Sequence, residues 1–267
     1  GDVKRILVEK AKGLCRQLVI PTVRDALVLQ SLSDAMYRDI RGQEPTKQAF
    51  FEPDDHSFSN QGGMFPVSDY GSFRAWLNFQ EELLKFSQEK DYIVITDIAN
   101  YYDTIRYEHL RNIISGLDIG VRESVLDMLI YTLSGLLWQP DYMPRVEIGL
   151  PQINTDAPRI LAHCFLYELD KFLESECGND FARYMDDLDI GVDSIPQAKR
   201  LLKCVDLTLH TRQVRLNSGK TLILRKREAF HHYRVRDNRF INLMERHVER
   251  RTKLKLPLNR ERAWLVR

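Results

Sequence analysis

Phe181-Ala-Arg-Tyr-Met-Asp-Asp-Leu-Asp-Ile-Gly-Val192 is the stretch whose reading decides the fold. Apolar and β-favouring residues lead up to Met185, two adjacent aspartates follow, and Leu188, Ile190 and Val192 resume with a period of two. That pattern predicts a β-hairpin with Asp186 and Asp187 at its tip. Two carboxylates crowded on one turn repel each other, which raises the free energy of ionising both. A hard divalent cation relieves the repulsion, because Mg²⁺ prefers oxygen ligands and takes one or two carboxylates together with substrate phosphates. Asp-Asp alone also fits a solvated turn. A third carboxylate on another buried strand is what decides for a metal.

Asp91-Tyr-Ile-Val-Ile-Thr-Asp97 supplies it. A short, continuous apolar run closing on an acid reads as a strand buried on both faces that delivers Asp97 to the end of the sheet. Tyr101, Tyr102 and Asp103 follow at once.

Around these two strands the chain alternates helical and turn patterns. Lys4–Leu18 is basic and partly helical in pattern, and Leu18-Val19-Ile20 turns extended before Pro21. Val23, Leu27, Val28, Ser31, Ala35 and Met36 predict a helix over Thr22–Ile40. Residues 42–69 are rich in Pro, Gly, Asn, Asp and Ser and read as a long loop of the functional or disordered kind. Phe73, Trp76, Leu77, Leu83 and Leu84 mark a helix whose aromatic stripe reads as core rather than as a base-stacking platform. Helices over Tyr107–Leu117 and Val125–Leu137 come next.

Gly149-Leu-Pro-Gln152 is a turn ahead of a helix that carries Pro158 in its first turn, Asp156 or Thr155 as cap, and Ile160, Leu161, Cys164, Phe165, Leu169 and Phe172 on one face. Ser194-Ile-Pro-Gln197 fits a capping box opening a helix through Leu201, Leu202, Val205 and Leu209. Leu216-Asn-Ser-Gly-Lys-Thr221 is a loop leading into a strand at Leu222–Leu224; its Gly-Lys-Thr lacks the first glycine of a P-loop. Strand, helices, hairpin, helix, strand in that order make an α+β palm with acids on two neighbouring strands.

With 267 residues, 43% of them hydrophobic, the chain can bury the core of one large domain or two lobes. No run approaches the ~18 apolar residues of a membrane span, and no signal-peptide pattern opens the chain. The opening Gly in place of Met leads one to expect a processed chain or an excised or tagged piece of a longer protein. Cys15, Cys164, Cys177 and Cys204 have no C-x-x-C spacing and read as reduced cysteines of a cytoplasmic protein. A net charge of +1 hides an asymmetry: residues 212–267 hold 17 Lys and Arg against 5 Asp and Glu, the rest 22 against 33. A basic end beside an acidic body suits a polyanion partner, since Lys and Arg on phosphates release counterions.

These motifs, in this order, resemble the reverse transcriptase family. Tyr184-Met-Asp-Asp187 is similar to its Y-x-D-D box, Thr96-Asp-Ile-Ala-Asn-Tyr-Tyr-Asp103 to its preceding acidic motif, Gly149-Leu-Pro-Gln152 to its L-P-Q turn, and Leu216–Thr221 to its L-N-x-x-K-T motif. Arg16-Gln-Leu-Val-Ile-Pro-Thr-Val-Arg-Asp25 resembles the R-P-L-x-I-P-T-x-R-D segment of group II intron and retron-type enzymes. The likeness runs from about Lys12 to Tyr233. Departures exist as well: Ile153, Asn154 and Thr155 stand where the family usually has Gly-Ser-Pro, and the long loop lacks F-R-P-G-R-S. The run Asp156–His163 with Leu166 and Asp170 looks most like the bacterial antiphage and abortive-infection groups, some of which extend DNA without an ordinary template.

The resemblance implies an α+β right-hand polymerase: fingers at 1–90, a palm with an antiparallel sheet at 91–233 carrying finger-packing helices at 105–140, and a basic connector or start of a thumb at 234–267. The thumb is partial or absent, so a further domain, a partner protein or an RNA is expected in its place. The implied reaction is attack of a primer 3′ hydroxyl on a dNTP, releasing pyrophosphate and yielding DNA, with RNA or a non-coding RNA as template. The implied cofactor is a pair of Mg²⁺ ions about 3.5–4 Å apart, Mn²⁺ being the alternative. Asp97, Asp186 and Asp187 are the expected ligands with the Ile98 carbonyl; Asp103 and Asp189 are expected to be structural or to support the ligands, Asp189, two residues beyond Asp187 on the same strand face, being an alternative ligand.

Tyr102 would reject a 2′ hydroxyl, Gln152 would border the 3′-hydroxyl pocket, Arg16 and Lys12 would grip the triphosphate, and Lys220 would protonate pyrophosphate. Asn217, in the same motif as Lys220, joins the substrate-binding set. The localisation implied is the bacterial cytoplasm, with no membrane. The competing readings are an intron- or retron-type enzyme and a catalytically idle nucleic-acid-binding scaffold; the second needs a lost acid, and all three expected acids are present.

Overall fold

Hydrophobic alternation builds the centre of the molecule, and helical periodicity covers it. The computed structural model describes residues 3–9, 13–51, 72–137, 142, 144, 147–153, 156–234, 240, 241, 243, 244, 247, 248 and 251. β1 (Lys4–Glu9) and β2 (Cys15–Ile20) form an antiparallel hairpin, in register from Lys4 opposite Ile20 to Glu9 opposite Cys15. The segment expected to be partly helical is therefore a strand: its β-branched Ile6 and Val8 find cross-strand partners in Leu18 and Arg16. α1 (Val23–Gly42) is capped by Thr22, whose hydroxyl accepts from the Asp25 N–H at 3.2 Å, and it buries Leu29, Ser33, Met36 and Ile40.

The loop that follows contributes β3 (Ala49–Phe50), which the sequence did not announce. α2 (Ser72–Glu89) buries Ala75, Phe79, Leu83 and Phe86, a stripe at helical spacing. β4 (Tyr92–Asp97), α3 (Tyr101–Thr104), α4 (Tyr107–Ser115) and α5 (Glu123–Leu136) come next. The expected helix around Pro158 is two, α6 (Ala157–Phe165) and α7 (Tyr167–Cys177), meeting at Leu166. α6 buries every residue except Arg159, whereas α7 buries only one side, so the chain changes direction between them. No side-chain cap bond is made by Asp156, and Thr155 lies outside the described residues.

β5 (Phe181–Tyr184), β6 (Asp187–Val192), α8 (Ile195–His210), β7 (Leu222–Arg225) and α9 (Lys226–His232) complete the described elements. The Ser194 hydroxyl accepts from the Gln197 N–H at 3.4 Å, while the Gln197 side chain accepts from the Asp193 N–H at 3.0 Å, one residue before the reciprocal partner of an ideal capping box.

The second sheet has the order β3-β5-β6-β4-β7 and is antiparallel except for the β3–β5 pair. One face, with Val94, Leu188, Ile190 and Val192, packs into the main core with α1 and α4 to α8. The other, with Ile93, Ile95 and Ala182, packs on Phe79, Leu83 and Phe86 of α2 and Ala229 of α9. Gly191 sits under that helix: a Cβ there would come within 2.8 Å of the Lys90 side chain and 3.4 Å of Phe86. Asp97, Asp187 and Asp189 share this second face, because side chains two apart on a strand point the same way.

Candidate active site

Antiparallel register places Asp97, the last residue of β4, directly opposite Asp187, the first of β6. Opposed Cα atoms on such strands lie about 4.5–5.5 Å apart, well within the span of one metal centre. Asp186 occupies the two-residue loop between β5 and β6, and its carbonyl accepts the Ile98 N–H at 3.2 Å. Met185, the first loop residue, has φ 55°, and Asp186 is not among the positive-φ residues. A positive φ at the first loop position only is the pattern of a type II′ turn, where glycine is usual.

The electrostatics of the cluster follow from burial. Asp97 is 5% exposed, and its Oδ1 is buried with no hydrogen-bond partner. Its Oδ2 accepts from the Lys220 ammonium, an ion pair to a lysine whose side chain is 68% exposed. Desolvation, then the charges of Asp186 and Asp97, push Asp187 up to about 6. Desolvation also raises Asp186, with Asp97 adding to it and Lys220 and Arg16 opposing it. The hydrogen bond to Asp97 raises Lys220.

Three clustered carboxylates, one with an orphaned buried oxygen, are the hard oxygen donors that a divalent cation takes. The residues present therefore fit such an ion. Among the described residues no three His, Cys, Asp or Glu side chains enclose a metal position as they stand. The Lys220 ammonium rests against Asp97, where positive charge is wanted.

Neighbouring segments bring up the other expected residues. An isolated bridge pairs Ile98 with Leu216, and the Asn217 N–H donates to the Asp97 carbonyl at 2.8 Å, so the Leu216–Thr221 loop is stitched to the end of β4. The Asn217 side chain accepts from the Gly219 N–H at 3.2 Å, which closes this turn and engages its oxygen locally. The hydroxyls of Thr96 and Thr221 meet at 2.7 Å. Ile98 has given its N–H to Asp186, leaving its carbonyl as the backbone group it can offer.

Tyr102, on α3, is half-buried and packs edge-on against Tyr101 at 5.9 Å. Burial raises its phenol, and the charges of Arg159, Asp186 and Arg16 all act on it. The Gln152 carbonyl accepts the Val19 N–H at 3.0 Å, and its amide donates to Asp103 at 3.4 Å, so the turn at Gly149 (φ 99°) ties β2 to α3. Arg16 on β2 is exposed. Lys12 lies outside the described residues.

Asp189 is 1% exposed and accepts from the Tyr233 hydroxyl; burial raises its pKa well above the usual carboxylate range. It lines, with Trp76, Phe79, Asp97, Asp187 and Tyr233, a cavity of about 390 Å³ beside the acids. Sequence reasoning passed over the buried pair Arg183–Asp170 behind the hairpin, both 0% exposed. The available signal was an arginine at an inward position of an otherwise apolar strand.

A family profile described as reverse transcriptase (RNA-dependent DNA polymerase) matches residues 9–236. The chain belongs to the reverse transcriptase family. No curated protein matches the sequence. Among solved structures, apo telomerase from Candida tropicalis truncated of its C-terminal domain is similar at TM-score 0.55 and 13% identity, covering 83% of this chain and 49% of that one. Telomerase from the same organism in complex with the TWJ fragment of telomeric RNA is similar at TM-score 0.52 and 12% identity, covering 83% and 40%. At such identities the likeness is one of fold, a fingers-and-palm arrangement, and the chain spans about half the length of the first of these structures.

Proposed function

We propose that this chain is the fingers and palm of a reverse transcriptase-type DNA polymerase that adds dNTPs to a primer 3′ end, using Asp97, Asp186 and Asp187 to hold two divalent ions. The observation that carries the reading is the facing pair Asp97 and Asp187 with Asp186 beside them in the β5–β6 turn, together with the unpartnered buried Oδ1 of Asp97. When bound, Mg²⁺ or Mn²⁺ would acidify the attacking hydroxyl and stabilise charge on the leaving oxygen.

The chain's own groups do the rest. The Ile98 carbonyl stands next to Asp97 as a further oxygen donor. Arg16, whose charge already acts on Asp186 and Tyr102, is the group of β2 suited to hold triphosphate oxygens. The Tyr102 ring excludes the 2′ hydroxyl of a ribonucleotide, and Gln152, fixed to β2 and Asp103, borders the 3′ end of the incoming sugar. Asn217 acts by holding the Lys220 loop against Asp97. While Lys220 rests on Asp97 its raised pKa disfavours proton donation; released from that carboxylate, it is placed to protonate departing pyrophosphate.

The likeness of Asp156–His163 to bacterial antiphage enzymes supports a cytoplasmic role in bacterial defence, with an RNA template or none. The test is primer extension by purified protein with Mg²⁺, labelled dNTPs and an RNA template, followed by sequencing of the product. Asp186→Asn should reduce incorporation by on the order of 10³-fold, the loss expected when several kcal/mol of charge stabilisation disappear. Parental activity in that variant refutes the assignment. A product complementary to the template distinguishes copying from untemplated extension.

A further inference from the structure

Behind the catalytic hairpin lies a polar cluster that the mechanism above does not use. Arg183, the third residue of β5, is 0% exposed and turned toward the main core. Its Nε donates to Asp170 Oδ1 at 2.6 Å and its Nη2 to Asp170 Oδ2, a two-pronged pair with a carboxylate on α7 that is itself fully buried. The remaining prong, Nη1, donates to the carbonyl of Met185 at 2.9 Å.

Met185 is the residue with φ 55° at the head of the turn. A non-glycine residue there is strained and persists only where its surroundings over-determine it. Two contacts do so: Arg183 holds the carbonyl of Met185, and the Ile98 N–H holds that of Asp186. Between them they fix the two peptides that flank Asp186.

The guanidinium is braced further out. Nη2 lies 3.4 Å from Nδ1 of His163, a residue of α6 that is 0% exposed. Burial, then the charges of Arg183 and Arg41, hold this imidazole well below its usual pKa, so it is neutral. Nδ1 then accepts from Arg183 and Nε2–H donates to Glu44, 3.1 Å away. Glu44 is paired with Arg41 at the end of α1, and the Phe51 ring stacks on His163 at 4.5 Å. A continuous set of polar contacts thus runs from the C-terminal end of α1 to the tip of the hairpin.

We propose that Arg183 is a positioning residue, clamping the Met185 carbonyl so that the strained turn presents Asp186 to the metal ions, with Asp170 and His163 holding the clamp in place. This rests on the reading of Asp97, Asp186 and Asp187 as metal ligands. It assigns Arg183 a role beyond stability, and the two roles separate experimentally. Removing one partner of a buried pair leaves an uncompensated charge and destabilises strongly, whereas replacing both by apolar residues of similar size is often neutral. The double variant Arg183→Met with Asp170→Leu therefore removes the clamp without the stranded charge. Arg183→Lys keeps a cation beside Asp170, and one ammonium cannot reproduce both the fork and the carbonyl contact.

The experiment is Mn²⁺ binding to the full chain by electron paramagnetic resonance without nucleotide, alongside urea midpoints, kcat and the KM for dNTP. The expected result is at least a ten-fold loss of Mn²⁺ affinity and a thirty-fold loss of kcat in both variants, with KM within three-fold and the double variant's urea midpoint near the parent's. Parental Mn²⁺ affinity in the folded fraction of either variant overturns the proposal. Asp186→Asn is the control for the underlying reading: if it binds Mn²⁺ like the parent, the ligand assignment fails and the clamp falls with it. If Asp186→Asn loses Mn²⁺ while the Arg183 variants keep it, only the clamp is wrong.

Discussion

Replacing Asp187 by Asn should stabilise the metal-free protein, although it removes a residue of the proposed reaction centre. In the folded chain the Asp187 carboxyl is pushed from 3.8 to about 6, first by desolvation and then by Asp186 and Asp97. A raised folded-state pKa means that the folded chain disfavours the ionised form. The disadvantage is absent below the unfolded value near 3.8, grows as pH rises, and is complete above about 6. Fully realised, a shift of that size corresponds to about 3 kcal/mol at 1.36 kcal/mol per unit. Asp187 is exposed, however, and solvent screening reduces the share felt by the fold to about 1 kcal/mol.

Asn keeps the shape and drops the charge. Urea unfolding in the presence of a chelator should therefore show the variant more stable by about 1 kcal/mol at pH 7.5, a midpoint increase of about 0.5 M for a slope near 2 kcal/mol/M. The gain should shrink to nothing as the pH approaches 4. Saturating Mg²⁺ should reverse the order, because ions that bind only the folded parent stabilise it by mass action. A variant that is less stable at pH 7.5, or whose stability difference is independent of pH, refutes the reasoning that burial and mutual repulsion dominate at this carboxylate.

Other consequences are as concrete. Tyr102→Ala should raise incorporation of ribonucleotides relative to deoxyribonucleotides at least ten-fold in primer extension; unchanged selectivity removes the ring from the sugar pocket. Mg²⁺ at ten times its Kd should add about 1.4 kcal/mol, a rise in Tm of roughly 3–5 °C that chelation reverses and that Asp97→Asn abolishes. Leu133, 0% exposed in the main core, should lose about 2–5 kcal/mol on replacement by Ala, read as a lowered urea midpoint with unchanged Mn²⁺ affinity per folded molecule.

Much of the architecture was legible in the chain. The strand ending at Asp97 follows from a continuous apolar run buried on both faces, and the hairpin at Asp186 and Asp187 from a period of two. Helical periodicity places α1 and α2, but not their buried faces: α1 buries Leu29, Ser33, Met36 and Ile40 and leaves Val23, Leu27 and Val28 exposed, and α2 buries Ala75, Phe79, Leu83 and Phe86, of which the expected stripe held only Leu83. The first basic segment reads as partly helical yet forms β1 and β2: β1 is exposed along its whole length and shows no clean alternation, and the two strands are defined by pairing with each other. Nothing local marks the break between α6 and α7, because Leu166 is as apolar as its neighbours and the change from an almost wholly buried helix to a one-sided one is set by what packs around them. β3 escaped because two residues carry no periodicity.

By itself, then, the sequence determined which residue types were available: three carboxylates, a turn that crowds two of them, strands that bury their flanks, and motifs that place the chain among reverse transcriptases. Those features depend on contacts within a few residues, so local pattern carries them. Only the tertiary structure decided that Asp97 faces Asp187, that Lys220 reaches Asp97 across 123 positions of chain, and that a buried arginine holds the strained turn. Strand order and register are set by which buried surfaces and unpaired backbone groups find each other across the whole chain. A single strand's residues say that it must pair, and the folded core says with what.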